Sequence, residues 1–112
     1  MKGFSGNIEE LTLANNNFRQ VLYTARHCQL VLMSLPVGGE IGSEIHEEND
    51  QFFRFESGEG KVLIDGNEYV VSDGSAIIVP AGAEHNVINT GEEPLKLYTI
   101  YSPAHHKDGI VR

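Results

Sequence analysis

Gly74-Ser75-Ala76-Ile77-Ile78-Val79-Pro80-Ala81-Gly82-Ala83-Glu84-His85-Asn86-Val87-Ile88-Asn89 carries two short apolar runs separated by Pro80 and Gly82. The first, Ser75–Val79, reads as a strand closed by Pro80. The second, His85–Asn89, reads as a strand ending at the Thr90-Gly91 turn. The same pattern extends in both directions. Phe18–Ala25 and Gln29–Leu35 read as strands, the latter stopped by Pro36 and the Gly38-Gly39 pair. Gln51–Glu56 ends at Ser57-Gly58, Lys61–Ile64 runs into Asp65-Gly66-Asn67, and Glu68–Val71 precedes Asp73-Gly74. Asp65-Gly66 is a hairpin signal, because glycine accepts positive φ freely. Leu95–Ser102, closed by Pro103, is the last strand, and only Asn7–Leu11 looks briefly helical. Roughly nine or ten short strands at this spacing predict an all-β antiparallel sandwich or barrel.

A length of 112 residues suits one domain. Apolar residues at 40% and charged residues at 21% are a globular balance, not a disordered one. Eight basic against sixteen acidic residues leave a net charge of -8. That argues against nucleic acid or an anionic membrane as partner, since both call for a basic patch. The single cysteine, Cys28, excludes an intramolecular disulfide and precedes an apolar run, so it is expected in the core. The N-terminus has no apolar signal region, and no apolar stretch approaches the ~20 residues that span a bilayer. A cytoplasmic, reduced protein is expected.

The chemistry concentrates in Glu44-Ile45-His46-Glu47-Glu48-Asn49-Asp50-Gln51 and in the stretch around His85. Residues two apart on a strand share a face, so Glu44 and His46 project together. Glu47, Glu48 and Asp50 read as a solvated turn before Gln51 opens the next strand. If His46 and Gln51 point inward, a third strand can bring His85 to meet them. Two imidazoles, a carboxylate and an amide oxygen suit one divalent first-row ion: Zn, Mn, Fe or Ni.

These two segments resemble the paired motifs of the RmlC-like cupin superfamily. The second motif reads Gly, five residues, Pro, any residue, Gly, two residues, His, three residues, Asn, and is met at Gly74, Pro80, Gly82, His85 and Asn89. The first motif is a variant. His46 and Gly58 hold their places, Glu44 stands where a first His is usual, and Gln51 stands where a Glu is usual. The opening glycine falls one residue off register, at Gly38 or Gly39. The resemblance implies a single cupin domain over residues 1–112, a double-stranded β-helix or jelly-roll barrel, with the motifs at about 38–58 and 74–89. The usual ligand set of three His and one Glu carries one negative charge. Glu44 with Gln51 restores it, so the carboxylate has moved rather than vanished.

Gln at the Glu position resembles small cupins that act on uronates in pectin breakdown. Mixed Glu, Gln and His ligation resembles the zinc site of the mannose-6-phosphate isomerases. The implied activity is metal-assisted isomerisation of a sugar- or uronate-like molecule. A dioxygenase using Fe or Ni and a non-catalytic small-molecule binding module are the alternatives. His105 and His106 follow the last strand; they can reach over the barrel mouth and serve as general acid or base. Arg19 and Arg26 are candidates to grip a substrate carboxylate or phosphate, while Arg54 falls on the opposite face from Gln51. Phe53, Phe55, Tyr69, Tyr98 and Tyr101 are expected to fill the interior or line its pocket, and Phe4 and Phe52 to cover a homodimer interface.

Overall fold

Along Leu95–Ser102 every second residue is buried: Leu95, Leu97, Thr99 and Tyr101 point one way, Lys96, Tyr98 and Ile100 the other. Successive side chains of a strand alternate, so one buried row per strand defines an inner face. The chain, described over residues 1–112 by a computed structural model, repeats such rows in two sheets. Its elements are α1 (Ile8–Ala14), β1 (Arg19–Thr24), β2 (Gln29–Leu35), β3 (Glu44–Ile45), β4 (Asp50–Ser57), β5 (Glu59–Ile64), β6 (Asn67–Ser72), β7 (Ala76–Val79), β8 (Glu84–Asn89) and β9 (Leu95–Ser102).

One sheet runs β1-β2-β9-β4-β7 and the other β3-β8-β5-β6, with antiparallel neighbours throughout. The inner rows meet in one core that includes Val31, Met33, Phe53, Phe55, Val62, Val71, Val87 and Leu97. This is the expected double-stranded β-helix, with one correction: the sheets do not close into a barrel. The edge strands β3 and β7 are short, and β7 has β4 as its one ladder partner, so no strand carries the hydrogen bonds across the seam.

Local chemistry explains the turns. Asp65 and Gly66 have φ of 47° and 83°, so β5 and β6 are joined by a two-residue turn with both central residues left-handed. Asn7 caps α1 by accepting a hydrogen bond from the Glu10 N–H at 3.0 Å. The helix then runs three residues past the expected Leu11. No helix is long and apolar enough to cross a membrane.

Several expected placements change. Cys28 is exposed, not buried: it closes a tight turn in which the Ala25 N–H donates to the Cys28 carbonyl, and the β2 ladder begins one residue later. Tyr69 is 44% exposed on β6, where it neither fills the core nor lines the site. Tyr98 lies on the outer face of the five-stranded sheet, where it packs on Phe52, and not in the interior. Phe53, Phe55 and Tyr101 are core residues as expected.

Gly58, the closing glycine of the first motif, has φ of 93°, and a Cβ there would sit 2.7 Å from the Pro94 carbonyl oxygen. Gly74 has φ of 91° with open space around it. Gly74→Ala should therefore lose about 1 kcal/mol of stability from backbone strain alone, and Gly58→Ala more than about 2 kcal/mol. Urea unfolding checks this; equal losses would contradict the contact.

Candidate metal centre

At one end of the sheets the inner rows turn from apolar to polar. Gln29, Tyr101, Gln51 and Val79 form one row across β2, β9, β4 and β7. Glu44 on β3 pairs directly with His85 on β8 from the opposing sheet. His46 follows β3, and its carbonyl accepts the Gly82 N–H at 2.9 Å. The Ala81 N–H donates to the Asp50 carboxylate at 2.9 Å. The turn before His85 is thus tied to both ends of the acidic loop. Glu47 and Glu48 are exposed as expected, but Asp50 does more than meet solvent, since it receives that bond. Asn89 closes the second motif with its amide, donating to the carbonyls of Leu35, Pro36 and Glu93.

Glu44, His46, Gln51 and His85 therefore reach the same end of the interior. His46 Nε2 lies 3.3 Å from Glu44 Oε2, and the His46 and His85 rings are 5.1 Å apart. His46, Gln51 and His85 are 8%, 2% and 3% exposed, while Glu44 is half-buried. His85 Nδ1 sits 3.1 Å from the Ala83 carbonyl, which can only accept. Of the two neutral tautomers this contact selects the one with the proton on Nδ1 and the lone pair on Nε2, the form in which a metal-bound imidazole is held. Burial, His105, His85 and Arg19 hold the His46 pKa below its usual value against the opposing pull of Glu44. Gln51 Nε2 donates to Thr99 Oγ1 at 3.0 Å, while its buried Oε1 has no partner.

The polar tail folds back as a flap over this end. Gln29, fully buried, accepts the N–H groups of His105 and His106 at 3.1 and 2.8 Å and donates to the His106 carbonyl. Asn49 donates to the Pro103 carbonyl at 2.6 Å. The His105 ring comes 4.2 Å from that of His46 and stacks on Tyr101. Ligand atoms of Glu44, His46 and His105 lie within 4.8 Å of one another, so these three form a further set able to hold an ion. His106 Nε2 lies 3.1 Å from the Tyr101 hydroxyl. Burial pushes the Tyr101 pKa up to about 12. Gln29 and Asn49 escape the sequence reading, although a lone amide at an inward position of β2 is the signal that marks the first.

Arg26 is exposed in the turn before β2, and Arg54 lies on the outer face beside Glu56. Arg19 is on the inner face of β1. A surface cavity of about 720 Å³ at the far end of β4 is lined by Glu59, Asp73, Glu92 and Glu93 with no apolar side chain or imidazole; it is not this site.

Two facing antiparallel sheets with carboxylate, imidazole and amide donors gathered at one end define a double-stranded β-helix protein with a candidate metal centre. The chain belongs to the cupin family: residues 31–101 match the cupin domain, a family that generally binds a metal. It is 50% identical over 116 residues to the uncharacterised protein YrkC of Bacillus subtilis, across 98% of this chain and 62% of that one. A solved structure from Bacillus halodurans is similar at a TM-score of 0.97 and 46% identity, covering 99% of this chain and 89% of that one. A mannose-1-phosphate guanylyltransferase of Klebsiella pneumoniae is 28% identical over 76 residues, 67% of this chain and 16% of that enzyme.

Burial first, then Arg19 and His105, lower the His106 pKa to about 4. An unfolded imidazole titrates near 6.5, so between about 6.5 and 4 the unfolded chain binds more protons. Stability of the metal-free protein should fall as pH falls through that window. Urea midpoints should drop less steeply in His106→Gln; parallel slopes would contradict the assignment.

Proposed function

We propose that this cupin is a metal-dependent enzyme that isomerises a small sugar- or uronate-like molecule, with one divalent ion held by Glu44, His46, Gln51 and His85. The observation that carries the reading is the Gln51 amide oxygen, buried and without a partner at the end of the interior that His46, His85 and Glu44 also reach. A buried acceptor left unpaired is destabilising unless a ligand completes it. The donor set is mixed N and O with no thiolate, which fits Zn, Mn, Fe or Ni. The relationship to a sugar-nucleotide enzyme supports a sugar-like substrate.

When bound, such an ion supplies Lewis acidity that stabilises negative charge on a substrate oxygen. The chain's own groups divide the remaining work. Tyr101 keeps its proton, so its hydroxyl donates a hydrogen bond at neutral pH. His106 meets that hydroxyl and fixes its direction. His105, exposed at the mouth, takes the proton from the hydroxyl-bearing carbon beside the substrate carbonyl and returns it to the former carbonyl carbon, while the hydroxyl proton passes to the former carbonyl oxygen by way of the Tyr101 hydroxyl. The flap that carries it covers the mouth and limits water.

Elemental mass spectrometry of untagged protein tests the first half. Wild type should hold about one metal per chain; Gln51→Ala and His85→Ala should lose it, whereas His105→Ala should keep it. Proton NMR in heavy water tests the second. Metal-loaded wild type should exchange the α-proton of an aldose or uronate in a panel, at least about a hundredfold faster than His105→Ala. A wild type that stays empty after incubation with Mn, Fe, Ni and Zn would overturn the metal reading, and absent exchange would overturn isomerisation.

A further inference from the structure

We propose that Arg19 is an anion-binding residue of this site, taking the carboxylate or phosphate of the bound molecule. The inference rests on reading the polar end of the interior as a small-molecule site. Arg19 belongs to the inner row of β1: it pairs with Met33, and Val21, two residues on, pairs with Val31, both partners being fully buried. An arginine on the inward side of a strand is unusual unless its charge is compensated. No carboxylate compensates this one. The ion pairs of the chain are His46–Glu44, Arg54–Glu56 and Lys61–Glu68, and Arg19 is in none of them, although sixteen acidic residues are available.

The guanidinium carbon lies 5.3 Å from the centre of the Phe18 ring, which supports one side of the group. Its Nε is shielded from solvent and has no hydrogen-bond partner. Its charge is felt at His46, Tyr101 and His106, the groups that surround the candidate metal centre. With its Nε shielded and unpaired, on the inner face of β1 and close enough for its charge to act on these groups, the guanidinium lacks an anion. A planar carboxylate or a phosphate can meet its parallel N–H donors in pairs, which a lysine ammonium cannot do. The surrounding chain is acidic overall, so a local cation is what an anionic molecule needs in order to stay. Arg26, exposed in its turn, has none of these features.

The probes are glucuronate, mannose 6-phosphate and neutral mannose, titrated into wild type, Arg19→Gln and Arg19→Lys with and without prior incubation with metal, and bound metal is measured in each. One anionic sugar should bind wild type more tightly than mannose does. Arg19→Gln should weaken that binding roughly tenfold to a hundredfold with metal content unchanged, and Arg19→Lys should recover only part. Preference for glucuronate assigns a carboxylate, and preference for mannose 6-phosphate assigns a phosphate. The proposal is overturned if neither anion outdoes mannose, or if Arg19→Gln binds the anion as wild type does. Should Arg19→Gln fail to fold, wild-type affinity from Arg19→Lys overturns it equally. An empty wild type defeats the metal reading alone, because the anion preference is read independently in the same titrations.

Discussion

An amide oxygen buried without a partner costs roughly 1–3 kcal/mol, and Gln51 carries one between two sheets. The constraint behind it is the pleat. Once Phe53 and Phe55 point inward, Gln51 must do so too, since it is two residues along the same strand. The same rule places Tyr101 beyond Thr99 and Gln29 beyond Val31, each buried. The apolar rows thus act as a ruler that delivers polar groups to one end of the interior at fixed spacing. Glu44 and His85 arrive from the opposing sheet as direct ladder partners. Glu44, Gln51 and His85 sit on strands and His46 on the residue just after β3, which holds donors in place before anything binds.

The flap depends on this frame as well. Gln29 spends its amide on the backbone of His105 and His106, and Asn49 holds Pro103. Two buried amides therefore do for the tail what a ladder does for a strand. The result brings the imidazoles of His85 and His105 against that of His46, and those of His46 and His105 against Tyr101. Burial, together with the nearby His105 and His85, holds the His46 pKa below its usual value.

The strands were legible because turn residues bound them sharply. Gln29–Leu35 and Leu95–Ser102 match the structure residue for residue, and Asp65-Gly66 forms the turn its composition demands. Period-two facing and the motif at Gly74–Asn89 pointed to the end of the interior where Glu44, His46, Gln51 and His85 lie, but not to His105, which joins Glu44 and His46 in the set whose ligand atoms lie within 4.8 Å of one another. Less legible was whatever depends on contacts between distant segments. Cys28 looked like core because apolar residues follow it, yet the ladder starts at Gln29. Tyr69 looked like core because it is aromatic, yet β6 is an edge strand with one face open. The open seam between the sheets is equally invisible to residue pattern, since closure is set by edge-strand length and not by facing.

The central claim is that Gln51 Oε1, Glu44, His46 and His85 share one ion. A crystal of Mn- or Zn-loaded protein, measured at that metal's absorption edge, tests it most directly. The expected result is one strong anomalous peak per chain, with those four side chains at roughly 2.0–2.2 Å. A peak held by Glu44, His46 and His105 with Gln51 turned away, or no peak, would contradict it.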